Sequence, residues 1–146
     1  MSAERAERLV VLTMRLLAFT FAVVGLLFIV TPNGVIGRMD DVGNWIGSFT
    51  PGPRSEEKLW LSLGFAYMVV ITGIALLVST DVGRYRPLLL VLAAGKAASS
   101  LATGAYFFFH SDVFIYLLNF IVDGSLVLVS LYCWEISEPL ERRVPT

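Results

Sequence analysis

The chain is poor in the residues that most chemistry needs. Its 146 residues include one cysteine, Cys133, and one histidine, His110. A lone cysteine excludes an internal disulfide and any Cys-pair metal or redox motif, and carries no sign of an oxidising compartment. A lone histidine excludes a haem held by two histidines of this chain, and together the two leave too few soft ligands for a zinc site. Charge is scarce as well: Asp, Glu, Lys and Arg make up 16% of the residues, against about 25% in soluble domains. The net charge is -1 with no basic cluster, so the electrostatic footprint of a nucleic-acid binder is missing. Also missing are a Ser-His-Asp set, paired carboxylates within one apolar stretch, a phosphate-binding glycine loop and an internal repeat. Nothing here supports an enzyme. Chemistry on a lipid would need a metal or a partner domain from elsewhere.

What the chain has instead is apolar residues, 56% of the total with a mean hydropathy of +0.74, above the usual soluble range of about 45–50%. They fall in four long stretches, residues 9–30, 59–79, 88–110 and 113–134. Each is close to the roughly 20 residues that a helix needs to cross a bilayer. The pattern predicts one domain, residues 1–146, built all-α as an integral membrane bundle of four transmembrane helices. The first stretch reads as a retained anchor, because a cleaved signal has a shorter apolar core of about 7–15 residues. It stops in Thr31, Pro32, Asn33 and Gly34, a helix stop followed by a turn. Ser55 with Glu56 and Glu57 reads as an N-cap with acids in the first turn, Trp60 as an interfacial anchor, and Pro87 as the opening of the third span. Residues 31–57 are rich in Gly and Pro and are expected to form an outer loop on the membrane surface. The other reading is a short interfacial helix within residues 39–49, where Val42, Trp45, Ile46 and Phe49 recur at three- and four-residue steps. The polar tail, residues 135–146, is expected to be a short helical overhang followed by disorder.

Four spans put both termini on one side. Arg5, Arg8, Arg84, Arg86, Arg142 and Arg143 fall on that side, six cations against the three of Arg38, Arg54 and Lys58 on the other. This bias predicts cytoplasmic termini, with the loop and the Phe-rich turn facing outward.

Polar residues inside the spans are the candidates for function. Lys96, Ser99, Ser100 and Thr103 share one face of the third helix, and Tyr116, Asn119, Asp123 and Ser130 share one face of the fourth. The connection through Ser111 and Asp112 is so short that the two helices must be antiparallel neighbours with these faces opposed. A charge left alone in hydrocarbon costs at least about 2.5–3.5 kcal/mol, which favours a Lys96–Asp123 pair. Yet helical side chains lean toward their own N-terminus, so Lys96 leans inward and Asp123 outward, leaving room for a water or a ligand group. Arg15, on the same inner half, supplies a second candidate cation. One reading of the cluster is glue, with Ala94, Ala98 and Ala102, or Ser100 and Gly104, permitting close backbone approach. The other is a site in which Arg15, Lys96 and Asp123 meet an anionic lipid headgroup, a quinone oxygen or a proton, completed by Tyr67 and Thr72. His110 and Cys133 read as plain interfacial residues.

Arg15 followed by Gly25 and Pro32, the glycines Gly64 and Gly73 in the second span, the basic turn with Arg84 and Arg86, and the GKAASS run around Lys96 together resemble the DoxX-like group of small bacterial four-helix membrane proteins. The resemblance implies a multi-pass protein of a bacterial inner membrane and a role as an accessory subunit. It supplies no catalytic motif to carry onto numbered residues. The leading expectation is therefore a non-catalytic accessory or interaction subunit, within a homo-oligomer or a larger membrane complex. It is surrounded by membrane lipids, makes no contact with nucleic acid, and has no cofactor beyond a bound lipid or quinone. The alternative is a binder or carrier of a lipophilic anion, lipid or quinone, using Arg15, Lys96 and Asp123.

Overall fold

The computed structural model describes residues 2–141. Seven helices form among them: α1 Ala3–Val30, α2 Pro32–Ile46, α3 Lys58–Thr80, α4 Val82–Tyr85, α5 Pro87–Phe109, α6 Phe114–Ile136 and α7 Glu138–Glu141. Four stretches, beginning at Ala3, Lys58, Pro87 and Phe114, are long and apolar enough to cross a membrane, so the chain has the architecture of a multi-pass membrane protein. No strand forms among the described residues, and one isolated bridge joins Thr50 to Val113.

Local chemistry sets the boundaries. Ser2 caps α1 by accepting a hydrogen bond from the Arg5 amide at 3.4 Å, which extends the first helix six residues ahead of its expected start through Ala-, Glu- and Arg-rich sequence of high helix propensity. Thr31 ends α1, its amide donating to Leu27 O at 2.9 Å. The expected turn there is replaced by a second helix: Pro32 takes the first position of α2, where its fixed φ suits a helix and its missing N–H leaves nothing unpaired. The expected loop 31–57 is thus a 15-residue helix and a shorter connector. Ser55 does not cap α3, which starts at Lys58 behind Glu57; the Ser55 amide instead donates to Asn33 Oδ1 at 2.8 Å. The expected helical overhang of the tail is present, residues 135–141 being helix apart from a turn at Ser137, and the stretch expected to follow it in disorder, residues 142–146 with Arg142, Arg143 and Pro145, lies outside the described residues.

The helices pack as two antiparallel pairs, α1 along α3 and α5 along α6, joined chiefly through α3 and α5. Close approach within each pair depends on missing side chains. A Cβ on Gly25 would come to 2.9 Å from Met68 Cβ across the α1–α3 crossing, and one on Gly104 to 2.7 Å from the Phe120 ring across α5–α6. Between the pairs the core is filled by Val10, Met14, Ala18 and Phe21 of α1, Ile71, Ala75 and Val78 of α3, and Leu89 and Leu92 of α5. This core is lopsided. The buried residues of α3 are Ile71, Ala75, Val78 and Ser79, all in its second half. The end of the bundle that carries the termini is closed, and the end that carries α2 is splayed.

At the closed end α7 packs on both α1 and α4. Arg86 is buried there; its Nε donates to the Trp134 carbonyl at 3.0 Å and its guanidinium lies 4.3 Å from the Trp134 ring centroid. Trp134 stands in the last turn of α6, where carbonyls lack intrahelical partners and a cation suits the helix dipole. At the other end α2 lies against α6, with Gly43 pressed onto Phe114. The Thr50 amide donates to Asp112 O at 3.2 Å, and the Gly52 amide to Asp40 Oδ1 at 2.9 Å.

Candidate functional site

The two polar faces of α5 and α6 do meet. Lys96 Nζ donates to Asp123 Oδ1 at 3.0 Å, and the two side chains are 3% and 6% exposed. The lysine's four-carbon stem covers the offset that the opposed leans of the two helices create. Its ammonium is roofed by aromatic faces from the other helix pair, 4.6 Å from the Phe21 centroid and 5.6 Å from the Tyr67 centroid. Such desolvated cation–π contacts add roughly 2 kcal/mol of attraction. The ion pair is neutral overall and closed on all sides by protein.

Asn119 extends the seam toward the splayed end. Its Nδ2 lies 3.1 Å from Ser99 Oγ, 3.2 Å from Thr103 Oγ1 and 3.4 Å from Asp123 Oδ2. Those neighbours fix which way the amide faces. The carboxylate can only accept, and the Thr103 hydroxyl already points at the Ser99 and Ser100 carbonyls at 2.9 and 3.2 Å, so both need a donor from Asn119. Ser100 Oγ donates to the Phe120 carbonyl at 2.8 Å, locking α5 to α6.

Of the eight sequence candidates, the structure brings together Lys96, Ser99, Ser100, Thr103, Asn119 and Asp123. It does not bring Arg15 to them. Arg15 is exposed on the outside of α1, in a groove with Glu4, Glu7 and Arg8. The buried stripe of α1 runs through Val10, Met14, Ala18 and Phe21, and Arg15 stands about 100° round the helix from Met14. Tyr116 is also apart, its ring stacked 5.8 Å from Tyr106 near the α5–α6 turn. Ser130 is fully buried, and its hydroxyl has no hydrogen-bond partner among the described residues. Thr72 returns its hydroxyl to the Met68 carbonyl at 2.7 Å, while Tyr67 joins the site by its ring, its hydroxyl buried and without a hydrogen-bond partner among the described residues. Phe21 and the Arg86–Trp134 contact were not among the sequence candidates. Phe21 was available as a member of the three- and four-step stripe on α1; Arg86 read only as a topological charge.

Where the two helix pairs splay, a cleft of about 320 Å³ opens between α1, α3 and α6. Phe28, Leu61, Phe65 and Met68 line it, Trp60 and Ser55 stand at its mouth, and Asn119 reaches it from the polar seam. Phe28, Ser55 and Trp60 also border a wider vestibule under the α2–α3 connector, rimmed by Arg54, Glu56 and Glu57. No group of three or more His, Cys, Asp or Glu able to hold a metal occurs among the described residues. Compared with protein-family models, curated proteins and solved structures, the chain matches none.

Proposed function

We propose that this chain is a non-catalytic membrane protein, an interaction subunit that assembles with further copies of itself in a bacterial inner membrane, with both termini in the cytoplasm. The likeness to the DoxX-like group belongs to the same reading. One observation carries it: Val91, Ala94, Ala98, Leu101, Ala105 and Phe108 are exposed along α5 at alternating three- and four-residue steps. That is the spacing of a left-handed helix-packing seam, and its alanines let a second backbone come close, which is how helices associate where the hydrophobic effect supplies no drive. The closed Lys96–Asp123 pair supports the non-catalytic part, since neither group is open to a substrate. The six-to-three cation count supports the orientation.

The test is disulfide cross-linking of Ala98→Cys in native membranes, with native mass spectrometry of the unaltered protein in mild detergent. Cys133 is buried and gives little background. A98C should form a covalent dimer under mild oxidant, whereas Val70→Cys, on the exposed face of α3, should not. A monomeric mass together with no cross-link at Ala98 defeats the reading.

A further inference from the structure

We propose that the cleft between α1, α3 and α6 is a binding site for a neutral amphiphile, an apolar body carrying a hydroxyl that donates a hydrogen bond to Asn119 Oδ1. The polarity of the site follows from the seam. The Asn119 amide nitrogen is committed to Ser99, Thr103 and Asp123, and Oδ1 receives no donor among the described residues. It is not among the enclosed unpartnered atoms, which are Tyr67 Oη and Ser130 Oγ, so it is open to the cleft that Asn119 lines. An acceptor at the end of an apolar pocket selects a ligand with a donor.

Charge excludes the other candidates. Lys96 is paired with Asp123 and covered by Phe21 and Tyr67, and Arg15 is on the far face of α1. Among the described residues no cation lines the cleft, and Arg54, on the rim of the adjoining vestibule, stands beside Glu56 and Glu57, so a carboxylate or phosphate at the depth of Asn119 would enter uncompensated. Size sets the body. The volume of about 320 Å³ is roughly twice that of a 150 Å³ cavity known to take benzene, room for a fused two-ring system or a short run of chain. A hydroxyl on such a body belongs to either of two sources, a glycerolipid or an isoprenoid alcohol. The cleft uses faces other than the exposed α5 ridge, so it stands or falls apart from the oligomer.

The experiment titrates the full chain in nanodiscs with 2-naphthol, 2-methoxynaphthalene and 2-naphthoate, following Trp60 fluorescence against empty nanodiscs and a Trp60→Phe control. Wild type should bind 2-naphthol saturably and at least tenfold more tightly than the ether, with the carboxylate weakest. Asn119→Leu should abolish the preference of alcohol over ether. Because Asn119→Leu disturbs the seam, Gly64→Phe serves as a second variant. Gly64 lines the cleft and a Cβ there meets nothing within 4 Å, so the new side chain starts in open space, occupies the pocket and should remove saturable binding. Equal binding of alcohol and ether by wild type, tighter binding of naphthoate, or binding unchanged in G64F overturns the proposal. Mass spectrometry of lipid extracted with the purified protein separates the sources, a retained glycerolipid from a retained isoprenoid alcohol; retention of acidic lipid alone counts against both.

Discussion

Lys96, on α5, is held by three groups, one from each of the other long helices: Asp123 of α6 and the aromatic faces of Phe21 on α1 and Tyr67 on α3. Removing one partner of such a buried pair costs far more than removing both, because the survivor is a bare charge in a dry interior. Lys96→Met is therefore expected to destabilise the bundle by about 3–5 kcal/mol, with Asp123 left facing hydrocarbon. The double change Lys96→Met with Asp123→Leu should recover most of that loss, since Asn119 keeps Ser99 and Thr103 as acceptors. Thermal unfolding in detergent measures both. A double variant no more stable than the single would mean that the pair acts through something other than charge compensation. The α5–α6 register that makes this pair was legible in the chain because the connection is short, four residues from His110 to Val113, and leaves little freedom to slide. The absence of Arg15 from the site was not legible. Depth along a helix follows from counting residues, but the direction in which α1 turns its faces is set by the packing of Met14 and Phe21 against the other pair.

At the scale of elements, α2 is the piece that composition half conceals: the three- and four-residue steps of Val42, Trp45 and Ile46 mark its second half, and nothing marks its start at Pro32. Gly34, Gly37 and Gly43 in 15 residues lower its intrinsic helix propensity by roughly 1 kcal/mol each relative to alanine, which is why the segment reads as a loop. Docking restores it. Gly43 sits where a Cβ would come to 2.7 Å from Phe114 Cβ, and Asp40 and Asn33 hold the connector behind it through the Gly52 and Ser55 amides. Tertiary contact of this kind leaves no periodic apolar signal, since the contacting residue is a glycine. It also makes α2 separable from the bundle. Gly43→Val must displace Phe114 or lift α2, an overpacking cost of about 1–3 kcal/mol, equivalent to a rise of roughly fivefold or more in the undocked population. Limited trypsin digestion at Arg54, which is exposed in the connector, should accelerate by at least that factor, with the four long helices left intact. Gly37→Ala, placed in open space on the same helix, should cut at the wild-type rate. Equal rates for all three proteins would show that α2 does not depend on the Gly43 contact.

The molecule as a whole has one closed end and one open end, and its charges follow the same division. The closed end carries Arg86 against the C-terminal turn of α6, with α4 and α7 packed beneath it. The open end carries α2, the vestibule and the mouth of the cleft. Positively charged flanks resist transfer across a membrane, so the end richer in Lys and Arg stays on the side of synthesis. In the orientation proposed above, the closed end lies in the cytoplasm and the cleft opens outward past Trp60. Two single cysteines decide it. Glu7→Cys lies exposed near the start of α1, and Gly37→Cys lies exposed on α2 with free space around its side chain. In intact cells a membrane-impermeant maleimide should label G37C at once and E7C only after the membrane is permeabilised. The reverse pattern would invert the bundle and turn the cleft to the cytoplasm. Labelling of both before permeabilisation would mean that the termini and α2 share a side, which four spanning helices do not allow.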